Sequence, residues 1–311
     1  MFVVGCPRAG LSFLVEMLGA HEDLGWISNV MNWARIPWRV TAALNRAYDL
    51  PIVGKRLWRA RLGANAGNRL IKLLPYPTEP WEFWQTRIAR FTPRERDLWL
   101  PEAPTNADIL PEESARVRRD VASLLAIQGR SRLLSYYAGH GRMRLLSVPF
   151  PDAVFVHVIR DVRAVAESFH RMIEAGGFRT WEERDLWPRV WPERWRRMFV
   201  ERYRNPFGLC VYLWMHFTTS IREEGRSLAG NRYVEVRYED LNRRPTETLE
   251  KLLSVSGLRP SERMSWLARC FRPRNDNSRW RSVLTRRQLQ TIDEILDPEL
   301  RDLLDISESG P

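Results

Sequence analysis

The chain has 311 residues, of which 44% are hydrophobic and 28% charged, a composition that excludes disordered, collagen-like and disulfide-scaffold proteins. Its formal net charge is +11, and all but three of its 49 cations are arginine, whose planar fork suits phosphate and sulfate oxygens. No stretch reaches the ~18 uninterrupted apolar residues that a membrane-spanning helix needs.

Cysteine usage and the start of the chain predict the compartment. Cys6, Cys210 and Cys270 lie far apart, with no CxxC pair and no even framework. A strand-like segment follows Met1 almost at once, which leaves no room for a secretory leader. We therefore expect a reduced, cytoplasmic protein. Because the sequence has no HExxH and no close acid–His–Cys cluster, we expect no metal site.

The predicted elements alternate between strands and helices along the chain. Residues 2–6 (FVVGC) predict a buried strand, and the apolar spacing over 10–20 predicts a helix. The other predicted elements are helix 112–128, strand 132–137, strand 153–159, helix 162–174, helix 209–224, strand 233–237, helix 246–256 and helix 286–296. Residues 26–110 and 176–205 are rich in Trp, Pro and Arg and are interpreted as lid or acceptor-side insertions. We expect a single α/β domain over 1–311: a P-loop-type parallel sheet flanked by helices, with helical lid insertions.

The loop after the first predicted strand has the spacing of a phosphate-binding loop. GCPRAGLS at 5–12 matches the G-x-x-x-x-G-K-[ST] pattern, with a strand before it and a helix after it. The backbone N–H groups of such a loop form an anion cradle. Leu11 stands where ATP-using loops carry lysine, and the nearest cation is Arg8. The pattern predicts an anion site with altered γ-phosphate machinery, and a purely structural turn is the alternative.

A second anion motif follows the strand at 153–159. Arg160 falls at the carboxyl end of this strand, where open α/β sheets bind ligands, and Ser168 lies two turns into the next helix. Arg160 and Arg163 flank Asp161, which argues against a metal there because they would repel a cation. Two phosphate sites at two strand ends indicate a nucleotide with phosphates on both ends of its ribose.

With these motifs the sequence resembles the bacterial branch of the sulfotransferases that use 3′-phosphoadenosine 5′-phosphosulfate (PAPS), over nearly the whole chain. PRAGLS at 7–12 resembles the family's 5′-phosphosulfate loop, and the Arg160–Ser168 spacing resembles its 3′-phosphate motif. RYEDL at 237–241 resembles a segment near the adenine, and 271–281 a C-terminal loop that reaches the 3′-phosphate. The resemblance implies PAPS as co-substrate, bound by Arg8, Ala9, Gly10, Leu11, Ser12, Phe13, Arg160, Ser168, Tyr238 and Arg274.

The sequence departs from this family where the chemistry takes place. Ala9 and Leu11 replace the usual Ser and Thr of the loop, and Tyr136 stands at the position where many relatives carry a lysine that bridges toward the sulfonate. Ser28–Asn29 occupies the place of a glutamate found in others. The general base is therefore left open: Glu79 is the first candidate and His140 the second, and a structural role is the alternative for each.

The sequence is compatible with three classes of function. The first is a sulfotransferase that moves a sulfuryl group from PAPS to an acceptor hydroxyl or amine. The second is a P-loop kinase or NTPase with an altered loop lysine. A basic nucleic-acid-binding protein comes third, because no zinc, RNA-recognition or KH motif supports it.

One charged segment bears on the acceptor. Residues 26–75 carry a net charge of +8, with Trp33, Trp38 and Trp58 interleaved among the cations. We expect an acceptor that is anionic or presented at an anionic surface, and a solvated basic face is the equal alternative.

Overall fold

The structure, a computed structural model, describes residues 1–30, 37–63, 74–89, 109–176, 187–228, 230–270 and 277–304. Five parallel strands form a sheet with the order β2-β3-β1-β4-β5. They are β1 (Phe2–Gly5), β2 (Leu24–Trp26), β3 (Arg132–Ala138), β4 (Phe155–Ile159) and β5 (Tyr233–Arg237). The sheet and its flanking helices confirm the predicted P-loop-type α/β class.

Helices cover both faces of the sheet. They are α1 (Leu11–Leu18), α2 (Trp38–Leu44), α3 (Pro51–Gly63), α4 (Trp81–Gln85), α5 (Pro111–Gln128), α6 (Met143–Ser147), α7 (Val162–Glu174), α8 (Glu193–Met198), α9 (Pro206–Arg226), α10 (Tyr238–Arg243), α11 (Pro245–Val255), α12 (Glu262–Cys270), α13 (Trp280–Val283) and α14 (Arg286–Ile295). Shorter 3₁₀ turns occupy Asn45–Asp49, Trp187–Val190 and Pro298–Leu303, and a π turn Phe199–Tyr203. No helix in the described part of the chain is long and apolar enough to cross a membrane.

The two central strands explain why the sequence pattern was readable. Every residue of β1 and β4 is buried, because helices cover them on both sides. A strand buried on both faces is a continuous apolar run rather than an alternating one. FVVG is such a run, and FVHVI is one apart from His157, whose Nδ1 lies 2.7 Å from the Tyr233 hydroxyl. The four strands predicted from the sequence are confirmed as β1, β3, β4 and β5.

Strand β2 was missed because its three residues are too short for a pattern. It lies at an edge and pairs with β3, Leu24 opposite Arg132. The Gln128 side chain at the end of α5 accepts from the Trp26 N–H at 3.0 Å and donates to the Trp26 carbonyl at 2.8 Å. A side chain distant in sequence therefore completes the strand.

The segments interpreted as insertions contribute to the core. Trp58 on α3 and Trp84 on α4 are fully buried. Trp191 stacks on Tyr212 of α9 with ring centroids 5.0 Å apart, and Trp195 is buried beside it. The described parts of these segments thus anchor on the core through their tryptophans, and their role as lids stays a prediction.

The topology places the loops after β1, β3 and β4 side by side. Gly5, the last residue of β1, pairs with Ala138 at the end of β3 and with Val158 near the end of β4. The chain leaves β1 toward β2 and leaves β4 toward β5, so the connections diverge between these two neighbouring strands. This divergence opens a crevice at the carboxyl ends, the usual ligand position in such sheets.

Candidate active site

The loop between β1 and α1 has the backbone of an anion cradle. Arg8 and Gly10 adopt left-handed conformations, with φ of 71° and 96°, and α1 begins at Leu11. Ala9 and Leu11 are buried, so their side chains enter the core and they can offer a ligand only their backbone. The position of the usual lysine therefore supplies no cation, while the Arg8 side chain is exposed.

The ring of Tyr238, which follows the edge strand β5, lies against this loop. Tyr238 is the first residue of α10, directly after β5, and its ring meets Phe13 edge-on with centroids 6.3 Å apart. A Cβ at Gly10 would lie 2.3 Å from a Tyr238 ring carbon, so no larger residue fits without moving the ring. Glycine is required here both by its φ and by this close approach.

The two predicted phosphate motifs meet in the crevice between β1 and β4. Arg8 Nε donates to Ser168 Oγ at 2.9 Å, and Arg160 Nη1 donates to the Arg8 carbonyl at 3.1 Å. The Arg160 guanidinium also lies over the Tyr238 ring, 4.5 Å from its centroid. Two arginines and a hydroxyl from three separate segments thus converge on one place.

Asn277 belongs to this cluster and was not singled out in the sequence. Its Oδ1 accepts from Arg160 Nε at 3.0 Å and so fixes the guanidinium from the C-terminal segment. The signal that could have found it is its position within 271–281, the stretch that resembles the family's C-terminal loop. Arg274 of the same stretch lies outside the described residues.

Asp161 has a structural role. Its carboxylate is buried, accepts from the Arg163 N–H at the start of α7 and pairs with the Arg163 side chain. Its charge is therefore neutralised by the arginine that was expected to repel a metal. Among the described residues, no group of three His, Cys, Asp or Glu side chains could hold a metal ion.

Strand β3 brings a second set of residues to the same edge. The Tyr136 hydroxyl lies 3.2 Å from Ser12 Oγ at the start of α1. Burial raises the pKa of Tyr136 well above its ordinary value, further raised by the charge of Glu79, so the hydroxyl keeps its proton at any physiological pH. Tyr136 is thus a neutral hydroxyl facing the loop where relatives are expected to carry a cation.

Glu79 reaches the end of β3 from a distant segment. Its Oε1 accepts from the Ala138 N–H at 2.5 Å, and Ala138 is paired with Gly5 at the start of the phosphate loop. Loss of solvent raises the pKa of this carboxyl, and the Ala138 N–H, the Trp81 side chain and the charge of Arg142 partly oppose that rise. Glu79 is therefore a carboxylate with a raised pKa that lies beside the loop between β1 and α1.

Backbone pairing holds Glu79 in this place. Asn29 N–H donates to the Tyr76 carbonyl at 3.0 Å, and the Asn29 side chain accepts from the Tyr76 N–H at 2.8 Å. Ser28 and Pro77 form an isolated antiparallel bridge. The segment that carries Glu79 therefore lies against Ser28–Asn29, the place where others of the resembling family carry a glutamate.

His140, the second candidate base, lies just beyond β3 in a more enclosed place. Its ring packs edge-on against His216 and Phe217, at 5.3 Å from each centroid, and is 3% exposed. The neighbouring Arg142, in a left-handed conformation, donates to the His140 carbonyl at 2.9 Å and lies over Trp81. The structure thus places His140 in aromatic packing and Glu79 beside the loop.

Two solved structures of sulfotransferases are similar to this chain. A sulfotransferase domain from the Synechococcus PCC 7002 olefin synthase is 18% identical, with 95% of this chain and 94% of that one covered and a TM-score of 0.46. Sulfotransferase STF9 from Mycobacterium avium is 14% identical, with 100% and 78% covered and a TM-score of 0.58, which shows a shared fold. No curated protein sequence matched the chain.

A family profile described as "Sulfotransferase family" matches residues 1–262. This range contains β1 to β5, the phosphate loop, Arg160, Ser168 and Tyr238. With most of its length matched, the chain belongs to the sulfotransferase family and is a sulfuryl-transferring enzyme.

Proposed function

We propose that this sulfotransferase moves the sulfuryl group of PAPS to a hydroxyl or amine of its acceptor. The observation that carries the proposal is the convergence of Arg8, Arg160 and Ser168 between the ends of β1 and β4. These groups bond to one another across the crevice. Each is an anion ligand, and two arginines in one crevice suit a donor with more than one phosphate.

The residues present fit such a nucleotide. The left-handed turn at Gly10 keeps the loop free of side chains where an anion needs the backbone, and Arg8 and Ser12 lie at its exposed side. We assign Arg8, Ser12 and the loop backbone to the 5′-phosphosulfate, and Arg160 and Ser168 to the 3′-phosphate. Tyr238 and Phe13 offer a ring surface on the nucleoside side. Arg274 stays a predicted ligand of the 3′-phosphate.

In the reaction, the acceptor oxygen or nitrogen forms a bond to sulfur while the sulfur–oxygen bond of the anhydride breaks, and adenosine 3′,5′-bisphosphate leaves. The acceptor must lose a proton, and we assign its removal to Glu79. A raised pKa makes this carboxylate a stronger base than an exposed one. By analogy with phosphoryl transfer, positioning and charge stabilisation by the loop and Arg8 should supply most of the rate.

The charge of residues 37–60, part of the segment interpreted as an acceptor-side insertion, supports an anionic acceptor, or one presented at an anionic surface. Residues 37–60 carry five cations and one acid, Asp49. Asp49 is already paired with Arg130 and Arg263, so it does not offset the exposed arginines. A rise of the acceptor KM with salt, at constant donor KM, would support this; a neutral acceptor without salt dependence would not.

Nucleotide binding tests the donor assignment. Thermal unfolding is followed with adenosine 3′,5′-bisphosphate, AMP, ADP and ATP, because a ligand at a hundred times its Kd stabilises by about 2.7 kcal/mol. We expect adenosine 3′,5′-bisphosphate to stabilise most. Incubation with PAPS that carries radioactive sulfur, and with a panel of hydroxyl and amine acceptors, then identifies the transfer product.

Stabilisation by ATP or ADP, with none by adenosine 3′,5′-bisphosphate, would overturn the PAPS assignment in favour of the kinase alternative. The burial of Leu11 at the lysine position supports the bisphosphate, since the loop lacks the cation that reaches a γ-phosphate. A cytoplasmic location stays a prediction, which the free thiols of Cys6, Cys210 and Cys270 support.

A further inference from the structure

An exposed apolar surface lies on α2, α3 and the turn between them. Of the ten exposed large hydrophobic residues in the described part of the chain, five lie between positions 40 and 53. They are Val40, Leu44, Leu50, Ile52 and Val53, with exposures of 50%, 46%, 52%, 69% and 45%. The other five are scattered singly over 110–283, as is normal for a soluble surface. The clustering therefore needs a cause.

The same surface is positively charged. Arg39, Arg46, Lys55, Arg56 and Arg59 are all exposed and belong to the same two helices and turn. Asp49, the one acid in 37–60, is neutralised by Arg130 and Arg263. The aliphatic side chains are thus accompanied by cations with no free acid of the segment among them. We name these ten residues, the five hydrophobic and the five basic ones, the basic–apolar surface.

The large aromatic residues of the segment face inward and hold the surface in place. Trp58 and Tyr48 are buried with ring centroids 4.6 Å apart, and both pack against Trp26 of β2. Trp38 packs edge-on against Phe83 of α4. The aliphatic residues face outward from a fixed base, so their exposure is not the result of an unpacked segment.

We propose that the basic–apolar surface docks the enzyme on an anionic lipid bilayer. Aliphatic side chains enter the boundary between headgroups and acyl chains, and the surrounding cations meet lipid phosphates. Nucleic acid fits less well, since exposed Leu, Ile and Val gain nothing from a phosphate backbone, and the rings of Tyr48 and Trp58, which could otherwise stack on bases, are buried. The docking is independent of the proposed donor chemistry.

Partitioning of the full-length protein onto vesicles tests the docking. Phosphatidylcholine vesicles are compared with vesicles of which a third is phosphatidylglycerol, at low and high salt. We expect binding to the anionic vesicles that weakens with salt. Ile52→Asp/Val53→Asp places two charges at the first turn of α3, where acids suit the helix dipole, and should weaken binding about ten-fold or more. Arg56→Glu/Arg59→Glu should weaken it by a similar factor or more.

Matched controls separate the surface from general charge effects. Leu110→Asp/Val200→Asp removes two equally exposed aliphatics elsewhere, and Arg118→Glu/Arg119→Glu reverses two exposed arginines on α5. Both controls should bind vesicles as the wild type does. Equal binding to neutral vesicles, equal losses in the controls, or no vesicle binding at all would overturn the proposal. So would a dimer by light scattering that Ile52→Asp/Val53→Asp dissociates, since a second copy would then cover the surface.

Discussion

The proposed donor side and the proposed acceptor side of the site are built in different ways. On the donor side, the loop of residues 6–10 and the start of α7 are short continuous segments that each follow a buried strand. On the acceptor side, Tyr136 comes from β3, Glu79 from a segment 59 residues away from its partner Ala138, and their meeting depends on the pairing of 27–29 with 76–78. An anion cradle can be made locally from backbone, whereas a carboxylate with a raised pKa needs neighbours, distant in sequence, that exclude water from it.

The largest expected effect on nucleotide binding breaks the proposed donor side at Gly10. Gly10→Val adds a side chain that would lie 2.3 Å from Tyr238 at a φ of 96°, so we expect a loss of bisphosphate affinity of about a hundred-fold or more. Isothermal titration measures it. Gly129→Val is the control: its φ is 65° but nothing lies within 4 Å, so it should cost ~1–2 kcal/mol of stability and leave binding intact. Normal turnover by folded Gly10→Val would reduce the loop to a turn.

The next prediction concerns the acceptor side alone. Glu79→Gln keeps the size of the side chain and removes the base, so kcat should fall about 10²- to 10⁴-fold with the bisphosphate Kd nearly unchanged. Single-turnover transfer to an acceptor from the screen measures this. Glu82→Gln, an exposed neighbour at the start of α4, is the control. Undiminished kcat would move the assignment to His140.

The raised pKa of Glu79 predicts how stability and turnover depend on pH. Because burial raises the pKa, the carboxyl binds its proton more tightly folded than unfolded. Protonated Glu79 therefore stabilises the folded state fully at pH values below its pKa in the unfolded chain. This stabilisation is lost as pH rises through the higher pKa that the carboxyl has in the folded protein. Urea unfolding at pH values between the unfolded and the folded pKa should show a free energy of unfolding that declines as pH rises, and Glu79→Gln should remove this decline. The kcat of the wild type should rise with pH, with a midpoint above the ordinary pKa of a glutamate. A rate limb at the ordinary carboxyl pKa would contradict the assignment.

A smaller loss is expected at the 3′-phosphate. Arg160→Ala removes charge-assisted bonds, so binding of adenosine 3′,5′-bisphosphate should weaken about ten- to hundred-fold, and that of AMP much less. Arg160→Lys keeps the charge without the fork and should recover part of the affinity. Arg119→Ala, on the exposed face of α5, should change neither. Equal losses for both nucleotides would show that Arg160 does not read the 3′-phosphate.

The smallest expected effect is on the contact between the Tyr136 hydroxyl and Ser12 Oγ. Tyr136→Phe removes the hydroxyl 3.2 Å from Ser12 Oγ, and we expect transfer to slow about two- to ten-fold without a change in nucleotide affinity. Tyr137→Phe, whose side chain projects from the opposite face of β3, is the control. A loss as large as that of Glu79→Gln would mean that Tyr136 contacts the transferring group itself.

Much of this protein could be predicted from its sequence, for a physical reason. Strands buried on two faces are largely apolar, and loops with glycine and arginine that follow them suit an anion. The proposed phosphate loop and the Arg160–Ser168 pair are therefore visible in the sequence as short patterns at strand ends, and their ligand roles stay predictions. The contact between Arg8 and Ser168 follows once the strands are parallel, because parallel strands end at one edge.

Only the tertiary structure decided which residues that are distant in sequence come into contact. Strand β2 pairs with β3, and the distant Gln128 satisfies the backbone of Trp26 at its end. Asn277 reaches the site because the C-terminal segment folds back onto Arg160. The position of Glu79 beside Ala138 has no local signature: its neighbours in sequence are ordinary for a loop, and its raised pKa comes from the solvent that packing excludes. Burial is a property of the folded chain, so the sequence could name a carboxylate but not the environment that would make it a base.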